Sequence, residues 1–112
     1  MIDFDAVMGK IEGLEAHELR QWIEERWVRV EQGDRGFLFH EVDVARVRLI
    51  RELRHELAIG NEAIPVILDL IDQVYGLRRR LRQLRDAIDA QPAELRDAVH
   101  AYLARGSAET RE

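Results

Sequence analysis

Residues 14–39 read LEAHELRQWIEERWVRVEQGDRGFLF, and a change of period inside this stretch sets the architecture. Up to Arg26 the pattern is helical: Leu14, Leu19, Trp22 and Ile23 can share one side, while Glu18, Gln21, Glu24 and Glu25 take the other. The spacing predicts a helix over 15–26. Past Trp27 the period falls to two, because Val28 and Val30 alternate with Arg29 and Glu31. Gly33-Asp34-Arg35-Gly36 then supplies turn residues and Phe37-Leu38-Phe39 reads as a returning strand, so a small β-hairpin, or wing, is expected.

Upstream, Asp3 is placed to cap a first helix over 4–12, with Phe4, Val7, Met8 and Ile11 at the spacing of one helical face and Gly13 as its stop. Two short helices across a glycine turn make a helix-turn-helix. Downstream, a third helix is expected from Glu41, carrying Ala45, Leu49, Ile50, Leu53 and Leu57 inward and leaving Arg46, Arg51, Glu52 and Arg54 to solvent. Its end falls at Ala58 to Gly60, where a glycine suits a left-handed cap. Asn61 can cap the next helix, with Pro65 in its first turn.

In that fourth helix Ile67, Leu70, Val74, Leu77, Leu81, Leu84 and Ile88 alternate steps of three and four, the a/d stripe of a helix that packs on another helix. These residues are the expected seam of a homodimer. Ile64, Leu68, Ile71 and Tyr75 give the first half a second apolar edge, which Arg78, Arg79, Arg80, Arg82 and Arg85 replace further on. The helix is therefore expected to start in the core and project as a coiled coil whose flank these arginines solvate. Pro92 marks a new start, and Leu95, Val99, Tyr102 and Leu103 predict one more helix ending at Gly106, packed in cis or in trans. The expected division is a winged helix-turn-helix over 1–60, the long helix over 61–90, a short C-terminal helix over 91–106 and a flexible tail over 107–112. The fold class is mainly α.

With 112 residues, 46% of them hydrophobic, the chain can bury one core and no second independent domain. The absence of cysteine excludes disulfides, thiolate metal sites and thiol nucleophiles, and suits a reducing compartment. Met1 to Lys10 lacks a basic region followed by an apolar run, so a cytoplasmic location is expected. The net charge of −5 is unevenly spread: residues 1–44 hold 11 acidic against 5 basic side chains, residues 45–90 hold 7 against 9. An acidic N-terminal surface repels phosphate backbones and attracts basic proteins.

Nothing in the chain assembles a catalytic motif. His17, His40, His55 and His100 fall on different elements and never at the i, i+4 spacing of a helical metal pair. Ser107 and Thr110 are the sole hydroxyl candidates of their types, far from a base or oxyanion donors. Gly33 and Gly36 bracket an acidic turn rather than opening a helix, and Glu24-Glu25 lacks an apolar cleft to raise a carboxyl pKa. A non-enzyme without metal or cofactor is expected.

The order helix, turn, helix, wing, helix and long coiled-coil helix resembles the MerR-like winged helix-turn-helix regulators. The residues that carry the likeness are Phe37-Leu38-Phe39-His40-Glu41 and then Arg48-Leu49-Ile50-Arg51-Glu52-Leu53-Arg54-His55-Glu56-Leu57-Ala58-Ile59. Within that superfamily Leu53 to Ala58, a short turn, Ile64 to Asp72 and the leucine- and arginine-rich helix are similar to the chaperone-modulator family of CbpM type. The resemblance spans residues 14–88. It implies a partner, the J-domain of a DnaJ-like, CbpA-type co-chaperone, and an inhibitory role that blocks its access to a DnaK-type chaperone. On that reading Glu12, Glu15, Glu18, Glu24 and Glu25 are the expected charge partners of the J-domain.

The chain departs from the DNA-binding members in two places. Their wing strand carries an arginine where Leu38 stands here, and their second helix is basic, whereas residues 15–26 contain only Arg20 and Arg26 as cations. Weak or absent DNA binding is the expectation. The alternative is a MerR-like transcription regulator reading an operator as a dimer through Arg20, Gln21 and the wing.

Overall fold

A computed structural model of the chain describes residues 1–110, with side chains to Ser107. Its elements run β1 (Ile2–Asp3), α1 (Phe4–Lys10), α2 (Ala16–Glu24), β2 (Glu31–Gly33), β3 (Gly36–Phe39), α3 (Glu41–Arg51), a π-helical turn (Glu52–Glu56), α4 (Ile64–Asp89) and α5 (Ala93–Thr110). The chain divides into two units, Met1–Asp69 and Leu70–Glu112.

In the first unit, Asp3 caps α1 as its position implies: Ala6 N–H donates to Asp3 Oδ1 at 2.8 Å. Asp3 and Ile2 also form a strand, β1, which the sequence reading does not contain because two residues carry no alternation to detect. β1 and β2 flank β3 in an antiparallel sheet, with Ile2 opposite Phe39, Asp3 and Glu31 both opposite Leu38, and Gly33 opposite Gly36. The wing is thus one edge of a three-stranded sheet. Phe39, on its central strand, is wholly buried, and its ring lies 6.5 Å from that of Phe4.

The core gathers Val7 and Ile11 from α1 and the turn after it, Leu19 and Trp22 from α2, Val44, Val47 and Ile50 from α3, Leu53 from the π turn, and Ile64 and Leu68 from the start of α4. Burying each such side chain contributes about 1.5–3 kcal/mol. Two phases differ from expectation. Trp27 and Val28 are both buried, so the hairpin's first strand starts at Glu31 rather than at Val28. Arg26 at φ 63 bends the chain sharply after α2, delivering two successive apolar residues inward where an alternating strand would expose one.

On α3 the inward row is Val44, Val47 and Ile50; Ala45 is exposed and Leu49 only half-buried. The phase is set at the start. His40 precedes α3, and Asp43, itself buried, accepts from His40 N–H at 3.1 Å, one arm of a capping box. The π turn then shifts the register by one residue, which leaves Leu57 65% exposed instead of inward. The left-handed position after it is Ala58, at φ 53, and not Gly60. Asn61 lies in a turn before α4, whose first residue is Ile64, so it does not cap that helix.

In the second unit no described residue from Leu70 to Ser107 is buried. α5 continues through Gly106 to Thr110, past the expected end, since a single glycine inside a helix costs only about 1 kcal/mol. Of the tail expected over 107–112, Arg111 and Glu112 lie outside the described residues. His100 Nε2 donates to Asp89 Oδ1 at 3.0 Å, tying α5 to the last residue of α4. Among the described residues no helix is long and apolar enough to cross a membrane.

Candidate interaction surface

α1 and α2 are joined by residues 11–15, and Gly13 makes the turn at φ +78. A Cβ at Gly13 would also stand 2.8 Å from Arg51 Nη2, so α3 packs its guanidinium directly on the turn. Arg48 Nη2 donates to Lys10 O at the end of α1, at 3.5 Å. Arg46 Nε donates to Trp27 O, and Arg54 Nη1 donates to Ile59 O at 2.6 Å. Arg46, Arg51 and Arg54, expected to be solvated, are half-buried; Arg51 and Arg46 brace the turn and the end of the helix-turn-helix, and Arg54 the segment after the π turn. Hydrophobic period cannot anticipate this for Arg46 and Arg54, because their carbonyl acceptors leave no trace in the residue pattern.

The recognition helix is α2. At about 100° per residue, His17, Arg20, Gln21 and Glu24 fall on the ridge opposite the buried Leu19 and Trp22, and all four are exposed. Arg20 covers a neighbour as well: its guanidinium stands 5.1 Å from the centre of the Phe4 ring, a cation–π contact. Arg26, the other cation expected here, occupies the left-handed position that ends the helix.

Of the five expected partner-binding acids, four are exposed. Glu12 sits on the turn, Glu15 before the first residue of α2, and Glu24 and Glu25 at its end. Glu15 Oε2 is 3.2 Å from His17 Nδ1; the carboxylates of Glu12, Glu24 and Glu25 form no ion pair among the described residues. Glu18 is different. Expected on the solvated side, its side chain is only 20% exposed, and it is held by His55 Nε2 at 2.6 Å and by Glu15 N–H at 3.2 Å. Unlike the other four, its carboxylate is engaged on both oxygens within the fold.

Residues 1–44 expose nine acidic side chains (Asp3, Asp5, Glu12, Glu15, Glu24, Glu25, Glu31, Asp34, Glu41) against five basic ones (Lys10, Arg20, Arg26, Arg29, Arg35). Leu38, at the wing position of interest, is half-buried and has Gly33 as close neighbour: a Cβ there would meet Leu38 Cδ1 at 2.8 Å. The helix-turn-helix and wing therefore present an excess of negative charge.

In the second unit the expected seam residues Leu70, Val74, Leu77, Leu81 and Leu84 are 46–64% exposed, and Ile88 is half-buried. Ile67, in the first unit, is half-buried against the core. Leu95, Tyr102 and Leu103 of α5 are exposed as well, so α5 does not cover the stripe. Arg78, Arg79, Arg80, Arg82 and Arg85 are all exposed on α4.

The four histidines each meet one carboxylate, His40 pairing with Glu31 at 3.0 Å across the wing. Among the described residues no group of three or more histidine and acidic side chains could hold a metal ion.

No curated protein and no solved structure matches the chain. A family model does, that of MerR HTH family regulatory protein, over residues 6–86, from the third residue of α1 to within three residues of the end of α4. The matched span contains the helix-turn-helix, the wing and the long helix described above, and the family is one of regulatory, non-enzymatic domains. The chain belongs to the MerR HTH regulatory family.

Proposed function

We propose that this family member is a chaperone modulator of CbpM type, which docks the J-domain of a DnaJ-like, CbpA-type co-chaperone on its acidic helix-turn-helix face. Occupying the basic surface that a J-domain presents to its DnaK-type chaperone blocks that encounter, and no chemistry is needed. The supporting observation is the charge of the exposed face: Glu12, Glu15, Glu24 and Glu25 are free of the core, while Arg20 leans on Phe4 and Arg26 is set in the helix end. Complementary charge of this kind sets partner choice and association rate.

Pull-down and calorimetry with a J-domain test the reading. Changing Glu15, Glu24 and Glu25 to lysine should weaken binding at least tenfold, roughly 1.4 kcal/mol; unaltered affinity removes the site. Glu18 is left untouched in this series, because its carboxylate is engaged by His55 and by Glu15 N–H.

Membership of a helix-turn-helix family favours a second reading, a transcription regulator that contacts DNA through Arg20, Gln21 and the wing. It requires a palindromic site and a steep fall of affinity with salt in a gel-shift series. On either reading the partner state of the chain is a homodimer through the stripe Leu70, Val74, Leu77, Leu81 and Leu84, whose exposure in one copy leaves an apolar surface to be covered.

A further inference from the structure

We infer that Glu18 is the centre of a latch through which the π turn controls the order of the first turn of α2, and hence the presentation of the docking face. The regulatory consequence rests on the docking reading above; the latch itself does not.

One carboxylate makes two contacts in different elements. Glu18 Oε2 accepts from His55 Nε2 of the π turn at 2.6 Å, and Glu18 Oε1 accepts from Glu15 N–H, before the start of α2, at 3.2 Å. The side chains are 31% exposed for His55 and 20% for Glu18. Bonds to an ionised carboxylate are stronger than neutral ones. The π turn thus reaches the capping position of the recognition helix through a single side chain.

The other charged groups nearby do not displace His55. Arg51 of α3 is taken up by Glu56 at 3.1 Å, Arg54 by Ile59 O, and Glu52 and Glu56 of the π turn are exposed. Glu15, the acid that precedes α2, faces His17.

The π turn carries one residue more than α-helical bonding would hold. Here Leu57 N–H donates to Glu52 O at 3.1 Å, five residues back, and Ile59 N–H donates to Leu53 O at 2.9 Å around the left-handed Ala58. Reversion to α-helical bonding removes one residue of register and rotates the downstream chain by about 100°. His55 would then leave Glu18, and the bond to Glu15 N–H would lose its anchor. Only the π arrangement seats the latch.

Amide hydrogen exchange on the free protein tests this without any partner. His55→Ala should speed exchange of the Glu15 and Leu57 amides roughly tenfold while Val47 and Ile50 in the core keep their rates. His55→Gln, whose side-chain amide can still donate to Glu18, should restore most of the protection, and Glu18→Ala should reproduce the loss. Unchanged exchange at Glu15 in His55→Ala, or an equal rise at Val47 and Ile50, overturns the latch. Absence of J-domain binding by the wild-type protein would instead remove the docking reading and leave the exchange result standing.

Discussion

Trp27 N–H donates to the carbonyl of Trp22 at 3.0 Å, and this bond closes the recognition helix. Arg26 N–H meanwhile donates to Ile23 O at 3.0 Å, so the two bonds form a Schellman motif with Arg26 at φ 63 in the place usually held by glycine. Trp22 and Trp27 are both buried and belong to the one hydrophobic core. The motif sends the chain from α2 into the core, and then to the wing.

An L-residue at that position carries a backbone penalty that glycine lacks. Arg26→Gly should therefore stabilise the fold by about 0.5–1 kcal/mol, read as a higher urea midpoint with an unchanged slope. A lower midpoint would mean that the arginine side chain contributes more than its backbone costs.

Gly13 is constrained twice, by φ +78 and by the Arg51 guanidinium a Cβ would meet at 2.8 Å. Gly13→Ala should cost about 1–2 kcal/mol, measured in the same denaturation series. A change below a few tenths would show that the turn relaxes freely.

Arg46 holds the Trp27 carbonyl just where the chain leaves the Schellman motif. Arg46→Met keeps the aliphatic stem and removes the donor, and a loss of about 1–3 kcal/mol is expected. Because Trp27 lies beside the lesion, its fluorescence should shift to longer wavelength in the variant even before unfolding.

The proposed homodimer rests on the apolar stripe of α4. Leu77→Asp with Leu81→Asp places two charges in its middle, where each is more than half exposed in one copy. Sedimentation should give a dimer for the parent chain and a monomer for the double variant, with the near-UV signal of Trp22 and Trp27 preserved. A parent chain that sediments as a monomer at micromolar concentration contradicts the seam.

Much of the architecture is legible in the residues themselves. Asp3 caps α1, Gly13 turns the chain, and the shift from helical period to turn and strand between Arg26 and Phe39 marks the wing. The misread positions share a physical cause. Trp27 and Val28, two large apolar residues in succession, break the alternation that a strand requires, and that break is the signal of their burial. The phase of α3 is set by the His40–Asp43 cap rather than by its apolar count. Glu18 reads as a solvated acid because its partner, His55, is 37 residues away. Arg46 and Arg54 escape detection for a related reason, since their acceptors are the carbonyls of Trp27 and Ile59 and carry no residue identity.

The proposed function turns on the sign of a surface: on that reading the excess negative charge of the helix-turn-helix face favours cationic protein surfaces over duplex DNA. Anisotropy titration of fluorescent duplexes of varied sequence, at an ionic strength of about 0.15 M, reads that sign without an intermediary. No saturable, sequence-selective binding is expected up to high micromolar protein. Tight attachment to a particular sequence, weakening steeply as salt is raised, would overturn the assignment.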